Sequence, residues 1–318
     1  MSKILMTGGA GFIGSNVSKK LLKRGNQIVC VDDFNDYYNP KLKEDRIKIF
    51  LKDYKFPVYR VDIRNYTSLK EIFEKENIDK ICHLAARAGV RASIEDPFIY
   101  QETNIKGTLN LLELAKEYKI KDFIYASSSS VYGGNTKIPF AEKDSVDAPI
   151  SLYAASKKAD ELMAHVYHNL YNLNCTGLRF FTVYGPWGRP DMAPIKFAKL
   201  ISNDKPIDVY NYGKHERDFT YIDDIVQGTV AALDHPFPYE VINLGNSNTV
   251  KLEYFISLLE KELGKKAQKN MLSKQPGDME ITNADITKAK SLLEFEPKTN
   301  IEEGIKKFIN WFKEYYGK

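Results

Sequence analysis

A glycine-rich turn directly after the first strand constrains the fold more than any other feature. Residues 3–7 are apolar and predict a short buried strand, while residues 15–24 show the period of an amphipathic helix. Between them, Gly9, Gly11 and Gly14 fit the dinucleotide fingerprint in its strand, turn and helix setting. In that setting the pyrophosphate lies at the helix N-terminus. We therefore predict an α/β fold that opens with a dinucleotide-binding unit.

Two acidic residues end the second predicted strand, residues 27–31. Asp32 and Asp33 lie at the distance from the glycine turn where a carboxylate accepts hydrogen bonds from the adenosine ribose. Because an anion at this point repels a 2′-phosphate, we predict NAD as the cofactor rather than NADP. The alternative is a glycine-rich turn in an unrelated α/β protein with a capping aspartate.

A serine run and a tyrosine–lysine pair are the candidate reactive groups. Residues 127–130 are serines that follow an apolar run, so they are expected at the carboxyl end of a parallel strand, where open α/β sheets bind ligands. Tyr153 and Lys157 are four residues apart at the start of a predicted helix, and therefore share a face. A nearby ammonium favours phenolate over phenol. The alternative is an ordinary pair on the helix surface.

Later strands end in residues that suit a bound cofactor. Asp62 and Ile63 follow the third strand and could flank an adenine, and small residues follow the fourth strand at residues 84–86. Asn104, on a long helix from residue 97 to 118, is predicted to point toward the cofactor. His83 is predicted to pack or hydrogen-bond within the sheet rather than act as an acid or base.

Charge and cysteine content exclude several classes of partner. The formal net charge is only +4, from 46 basic and 42 acidic residues, which gives no case for nucleic acid or an anionic membrane. No run is long enough for a membrane span and no signal peptide is apparent, so a cytoplasmic location is expected. The widely spaced Cys30, Cys82 and Cys175 support neither a disulfide framework nor a metal site.

The second half of the chain predicts a smaller unit. The sixth strand, residues 175–181, leads into a Gly/Pro-punctuated segment, and the run 241–244 is expected to return to the main sheet. The fold class is therefore α/β, a doubly wound parallel (Rossmann) sheet with a smaller mixed α/β C-terminal substrate domain. The predicted domains are residues 1–182, with return segments at about 219–250, and residues 183–318 for most of the substrate domain.

Apolar stripes follow two of the predicted helices. One stripe includes Leu109 and Leu112 on the helix after Pro97, and the other includes Leu162 and Leu170 on the helix after Tyr153. Packing on the sheet alone would explain both. The sharper prediction is a homodimer that pairs these two helices with those of a second copy.

By these motifs the chain resembles the extended short-chain dehydrogenases/reductases that act on nucleotide sugars. The glycine turn, Asp32, the serine run, the tyrosine–lysine pair and the segment 217–224 all match, across essentially the whole chain. Blocks at residues 33–38, 83–91 and 181–192 resemble the UDP-glucuronate 4-epimerases within that family.

The resemblance implies an NAD-dependent epimerisation at carbon 4 of a UDP-sugar. Tyr153 would take the proton of the 4-hydroxyl, Lys157 would hold the nicotinamide ribose and lower the tyrosine pKa, and Ser128 would hydrogen-bond the reacting oxygen. The 4-keto sugar would turn over and be reduced on its other face, with no external reductant consumed.

The residues after the serine strand separate this activity from related ones. Family dehydratases carry an Asp-Glu pair where this chain has Ser129 and Ser130, and the decarboxylases carry Glu at the latter position. Thr182 and Arg189 match positions expected to hold a sugar carboxylate, which favours a hexuronic acid, UDP-glucuronate, as substrate. The alternatives left open are a 4-epimerase of UDP-glucose or UDP-N-acetylglucosamine, a UDP-glucuronate decarboxylase, and a non-catalytic NAD-binding module.

The resemblance and the local patterns together give a complete set of expected contacts. Ser128, Tyr153 and Lys157 are the predicted catalytic residues. The predicted cofactor-binding residues are Gly8, Gly11, Phe12, Ile13, Gly14, Asp32, Asp33, Asp62, Ile63, Leu84, Ala85, Ala86, Asn104, Tyr153, Lys157 and Val183. The predicted substrate-binding residues are Arg91, Ser127, Ser128, Ser129, Thr182, Arg189, Lys196, Phe197, Tyr210, Asn211, Arg217 and Asp278. No metal site is predicted, and Trp187-Gly188 departs from the polar residues expected before Arg189.

Overall fold

A computed structural model describes residues 1–317, and parallel strands dominate it. Its strands are β1 (Lys3–Thr7), β2 (Gln27–Asp32), β3 (Val58–Arg60), β4 (Lys80–His83), β5 (Asp122–Ser128), β6 (Asn174–Phe180), β7 (Thr182–Tyr184), β8 (Ile207–Val209), β9 (Glu216–Tyr221), β10 (Tyr239–Leu244), β11 (Thr249–Lys251) and β12 (Lys269–Met271). Seven of them form one parallel sheet in the order β10-β6-β5-β4-β1-β2-β3. This order confirms the predicted fold class and the predicted return of residues 241–244 to the main sheet.

Helices cover both faces of the sheet. They are α1 (Phe12–Lys23), α2 (Lys41–Asp45), α3 (Tyr66–Lys75), α4 (Ala92–Glu95), α5 (Pro97–Tyr100), α6 (Gly107–Glu117), α7 (Leu152–Tyr171), α8 (Ala193–Ser202), α9 (Ile222–Asp234), α10 (Leu252–Leu263), α11 (Thr287–Leu293) and α12 (Ile301–Tyr316). Helix α2 is followed directly by a π-helical turn, Arg46–Phe50. A second π-helical segment, Gln101–Lys106, joins α5 to α6.

The alternation of side chains along β1 divides the core into two layers. Ile4 and Met6 pack in the layer that includes α1 and α9, whereas Leu5 packs in the layer that includes α3, α6 and α7. Successive strand residues point to opposite faces, so a strand buried on both faces must be apolar throughout. This is why β1 and β2 read as continuous apolar runs.

The smaller part of the molecule contains two further sheets. One pairs β11, β9 and β7, and the other pairs β12 with β8. The buried carboxylate of Asp218 in β9 accepts hydrogen bonds from the backbone N–H groups of Asn246 at 2.6 Å, Ser247 at 3.0 Å and Ala284 at 3.0 Å. Burial raises the pKa of Asp218 to about 6. Two chain segments, at residues 246–247 and at residue 284, are thereby tied to β9.

Within residues 1–317, no helix is both long and apolar enough to cross a bilayer. Cys30, Cys82 and Cys175 lie in β2, β4 and β6, and all three are buried free thiols. Their predicted place as small residues in buried strands is confirmed.

Candidate active site

One continuous cavity of about 720 Å³ opens at the carboxyl end of the main sheet. It extends from the glycine turn, past the serine run, to residues 277–279 of the smaller part. All predicted cofactor-binding residues except Asn104 line it. The predicted substrate-binding residues in its wall are Arg91, Ser127, Ser128, Ser129, Thr182, Arg189, Arg217 and Asp278.

The glycine turn fits the diphosphate of a dinucleotide. Gly8 has φ +67°, and a Cβ on Gly14 would lie 2.2 Å from the Gly8 carbonyl oxygen, so this tight turn excludes larger residues. No side chain caps α1, and its first turn carries no acidic residue. The first residues of α1, Phe12 to Gly14, line the cavity, where their backbone N–H groups favour an anion.

A buried lysine accompanies the two acidic residues after β2. Lys43 donates to Asp32 at 2.9 Å and to Asp33 at 3.3 Å. Burial opposes the charge of Lys43, but the two carboxylates outweigh it and raise the pKa of Lys43. Asp32 also accepts from the backbone N–H of Ala10 at 3.2 Å and of Phe34 at 3.0 Å. Because two carboxylates surround one ammonium, this end of the cavity keeps a net negative charge. A negative charge suits ribose hydroxyls better than a 2′-phosphate.

Helix α7 presents Tyr153 and Lys157 to the cavity from its first two turns. Ser151 caps the helix by accepting from the N–H of Ala154 at 3.1 Å. The Lys157 ammonium is buried and donates to Asp160 at 3.0 Å. Burial raises the pKa of Asp160 to about 6, even though Lys157 favours its ionised form. Asp160 was not among the predicted residues, although its spacing from Lys157 places it on the same helix face.

The serine hydroxyls at the end of β5 divide between two environments. Ser128 accepts from the N–H of Ser130 at 3.1 Å, and its hydroxyl proton remains available to a ligand in the cavity. Ser127 instead donates to buried Glu161 at 2.7 Å, and Glu161 pairs with Arg179 at 2.8 Å. The Ser127 hydroxyl proton is therefore used inside the protein, although Ser127 also lies in the cavity wall.

Arg189 reaches the cavity from the loop after β7, and its guanidinium is already paired. Its Nε lies 3.1 Å and its Nη2 2.5 Å from the two carboxylate oxygens of Asp191. Nη2 also donates to the carbonyl of Ala88 at 3.2 Å, which accepts from the Tyr37 hydroxyl at 2.7 Å. Burial opposes the charge, but Asp191 outweighs it and raises the pKa of Arg189 above its usual value.

A fully buried arginine fixes the loop before Arg189. Arg46 donates from Nη2 to the carbonyls of Trp187 at 2.7 Å and Gly188 at 2.9 Å, and from Nη1 to the carbonyl of Ala10 at 3.0 Å. It therefore ties this loop to the glycine turn. Trp187 has φ +63° and packs on Trp311 of α12, with ring centroids 5.5 Å apart. Sequence spacing gave no sign of this contact.

The far end of the cavity gathers groups predicted to hold the nucleotide. Arg91 pairs with Asp278 at 2.7 Å and lies over the Tyr210 ring at 4.3 Å. Arg217 donates to the carbonyls of Glu216 and Glu280 at 3.0 Å each. Burial, the largest contribution, lowers the pKa of Arg217. Asp278, predicted on a ribose hydroxyl, is thus an ion-pair partner in this structure.

Several predicted contacts lie outside the cavity wall. Asn104 is buried and accepts from the Arg87 N–H at 2.8 Å while donating to Ser156 at 2.8 Å, so it fixes the 87–91 loop to α7 instead of facing a cofactor. Phe197 is buried in the core and Lys196 is exposed on α8. Tyr210 and Asn211 also lie beyond the cavity lining, and the side-chain nitrogen of Asn211 is buried without a hydrogen-bond partner among the described residues.

His83 behaves as a residue of the sheet, as its position predicts. Its ring nitrogens lie 2.7 Å from the Thr7 hydroxyl and 3.0 Å from the Thr108 hydroxyl. Burial, assisted by the charge of Lys157, lowers the pKa of His83 to about 3. The imidazole is therefore neutral at physiological pH and does not add a second charge beside Lys157.

Known proteins share this architecture along nearly the full chain. The model of the NAD dependent epimerase/dehydratase family matches residues 4–245. A UDP-glucuronate 4-epimerase of Thermodesulfobacterium geofontis is 49% identical over 99% of this chain and 97% of its own. The crystal structure of a Bacillus cereus UDP-glucuronic acid 4-epimerase with UDP-glucuronic acid and NAD is 40% identical, covers 99% of this chain and 100% of its own, and has a TM-score of 0.92. A Thermus thermophilus UDP-glucose 4-epimerase with NAD is 28% identical, covers 98% and 99%, and has a TM-score of 0.89.

Proposed function

This chain belongs to the NAD dependent epimerase/dehydratase family, and from that premise we propose that it is an isomerase that inverts carbon 4 of UDP-glucuronate to give UDP-galacturonate. One observation carries the proposal. Tyr153, Lys157 and Ser128 line the same cavity as the glycine turn at one end and Arg189 at the other. A cofactor, a proton acceptor and a cation for an acidic sugar can therefore act on one substrate.

Each catalytic side chain has a separate task. NAD, when bound at the glycine turn, supplies the group that accepts the hydrogen of carbon 4 and returns it. Tyr153 accepts the proton of the 4-hydroxyl and later gives it back, since it lines the cavity. Lys157 favours the ionised phenol through its positive charge. Ser128 donates its free hydroxyl proton to the oxygen on carbon 4 and so orients the sugar.

The residues expected to surround the sugar favour epimerisation over elimination and decarboxylation. Ser129 and Ser130 stand where those activities need carboxyl groups, so no paired acid and base flanks Ser128 on this strand end. A 4-keto uronate is a β-keto acid that loses carbon dioxide readily. Arg189, with Thr182 beside it in the cavity wall, would hold the carboxylate away from the geometry that loss requires.

Incubation of the purified protein with UDP-glucuronate tests the proposal. With no added reductant we expect UDP-galacturonate to accumulate toward an equilibrium mixture, followed by proton NMR. The Tyr153→Phe variant serves as the matched control, because it keeps the ring and removes the hydroxyl; we expect a loss of at least about 100-fold in kcat. Steady accumulation of a UDP-pentose with carbon dioxide would instead identify a decarboxylase.

A neutral UDP-hexose is the second candidate substrate, and one contact favours it. Asp191 already neutralises Arg189, so the cavity wall holds no unpaired cation at that point. The Thermus thermophilus UDP-glucose 4-epimerase also shares this fold. Arg189→Ala distinguishes the candidates: loss of UDP-glucuronate turnover supports the acidic substrate, whereas unchanged turnover of both sugars supports the neutral one.

The same premise leads us to propose a cytoplasmic enzyme that works as a homodimer. Three buried free thiols suit a reducing compartment. Of the residues predicted to meet a second copy, Leu162 is 56% and Leu170 is 64% accessible on α7, whereas on α6 Leu109 is 39% accessible and Leu112 is buried in the core. The three exposed leucines are therefore available to a second copy, and Leu112 packs within its own chain. The small formal net charge of +4 does not support nucleic acid as a partner.

A further inference from the structure

The arginine expected to bind a sugar carboxylate is occupied by a carboxylate of its own loop. Asp191 takes the Nε and Nη2 edge of Arg189 with both oxygens, at 3.1 Å and 2.5 Å. The second Nη2 proton is directed to the carbonyl of Ala88 at 3.2 Å. Among residues 1–317, none accepts a hydrogen bond from Nη1. Two-point pairing of this kind is the strong form of an arginine–carboxylate contact.

The pair is placed where a ligand can reach it. Both residues line the cavity, and their side chains are 22% and 31% exposed for Arg189 and Asp191. Only Pro190 separates them along the chain, so the carboxylate is present at a high effective concentration. An incoming sugar carboxylate must therefore compete with one that never leaves the loop.

We propose that Asp191 is a specificity-determining residue that compensates the positive charge of Arg189 and so narrows the preference for acidic over neutral UDP-sugars. An acidic sugar binds by taking the Nε and Nη2 edge while Asp191 turns toward solvent. A neutral sugar binds without desolvating an unpaired guanidinium, which would be costly. The inference rests on the proposed function, since it needs a sugar whose carbon 5 substituent lies at Arg189.

A merely structural ion pair is the competing explanation. Partly exposed pairs contribute only about 0–1 kcal/mol to stability, so removing one would leave substrate preference unchanged. A specificity role changes the KM values of two substrates in opposite directions, which a purely structural role does not do. Substrate preference is therefore the measurement that separates the two explanations.

The experiment compares Asp191→Asn with the wild type on UDP-glucuronate and UDP-glucose. We expect KM for UDP-glucuronate to fall roughly threefold to tenfold and KM for UDP-glucose to rise, with kcat for the acidic sugar retained. Asp191→Ala tests whether the new amide itself matters. The matched control is Asp204→Asn, which breaks an exposed pair with Lys265, 2.6 Å long, outside the cavity wall.

Three outcomes decide between this inference and the proposed function. If the wild type epimerises UDP-glucuronate, Arg189→Ala abolishes that turnover and the Asp191 variants keep the wild-type preference, the inference is overturned and the proposed function stands. If the wild type does not act on UDP-glucuronate, the proposed function fails. Binding of UDP-glucuronate, followed by isothermal titration calorimetry, then decides the inference: tighter binding by Asp191→Asn supports it, and unchanged binding overturns it.

Discussion

At the scale of single residues, the partner of Lys157 determines how strongly its charge acts on Tyr153. Asp160 lies 3.0 Å from the Lys157 ammonium, and both side chains are at most 2% exposed. The carboxylate offsets the ammonium in a region where water screens little. His83 adds no charge, because burial lowers its pKa to about 3. Glu161, the next residue, is itself balanced by Arg179 at 2.8 Å.

Replacing Asp160 with asparagine should therefore shift the pH dependence of epimerisation. Burial raises the pKa of Asp160 to about 6, so above that pH its ionised carboxylate offsets the positive charge of Lys157. Asp160→Asn removes the negative charge at every pH. We expect the acidic limb of the kcat/KM profile to move to lower pH, by about one pH unit or less. A limb that stays in place or moves to higher pH would contradict this role.

The exposed pair of Glu117 and Lys70, 2.6 Å apart, provides the control for that measurement. Glu117→Gln also removes one carboxylate that pairs with a lysine, but at the surface and outside the cavity wall. Its pH profile should match that of the wild type. A common shift in both variants would point to net charge instead of the Lys157 environment.

At the scale of elements, the loop after β7 depends on contacts far away in sequence. Arg46 is fully buried and holds the Trp187 and Gly188 carbonyls together with that of Ala10, through a π-helical turn that directs its guanidinium inward. Because Arg189 follows directly, Arg46 connects the glycine turn to the cation expected to bind the sugar. The aromatic contact of Trp187 with Trp311 adds α12 to this support.

The Arg46→Lys variant should weaken substrate binding more than it slows catalysis. Lysine keeps the charge but lacks the planar fork, so at least one of the three carbonyls loses its donor. We expect KM for UDP-glucuronate to rise severalfold with kcat changed less than about twofold, and stability to fall by about 1–3 kcal/mol. Fluorescence should change as well, since Trp187 is one of only two tryptophans. The control is Arg60→Lys, at an exposed residue of β3. If Arg46→Lys lowers stability but leaves KM unchanged, the role of Arg46 in binding is contradicted.

The elements that were predictable from the sequence are those with a local signal. The glycine turn, the helix that follows it and the strands of the main sheet follow from periodicity and from turn residues, which act over a few positions. Helices α9 and α10 and strands β9 and β11 were not singled out. Their short or mixed sequence patterns can be interpreted only in the folded chain, where β9 pairs with β7 and β11 in the smaller sheet.

The site itself shows why side-chain roles are harder to predict than positions. Adjacent strand residues point to opposite faces, so the different hydrogen-bond partners of Ser127 and Ser128 have a signal in the sequence. Lys43 lies in α2 and Arg46 in the π-helical turn after it, where the sequence period does not reveal that these two charged side chains are buried. Their partners, up to 142 positions away in the case of Gly188, become visible only in the folded chain.

At the scale of the whole molecule, one apolar face is left uncovered. Phe98 of α5 is 80% exposed, and Leu109 of α6 and three residues of α7, Leu162, Val166 and Leu170, are exposed beside it. Their spacing along α7 is that of one helix face. Apolar patches shared by two adjacent helices are typical of protein interfaces, and a twofold axis would place each α6–α7 pair against its copy.

We therefore expect the wild type to be dimeric and the double variant Leu162→Glu/Leu170→Glu to be monomeric. Two charges on each copy would meet like charges across the twofold axis, in an interface that desolvates them. Light scattering after size-exclusion chromatography at micromolar concentration gives the mass directly, against 36.4 kDa for one chain. Leu272→Glu, which adds a charge at an exposed leucine of the smaller part, is the matched control and should leave the mass unchanged. A wild type that elutes as a monomer, or a double variant that remains dimeric, would show that this face does not join two copies.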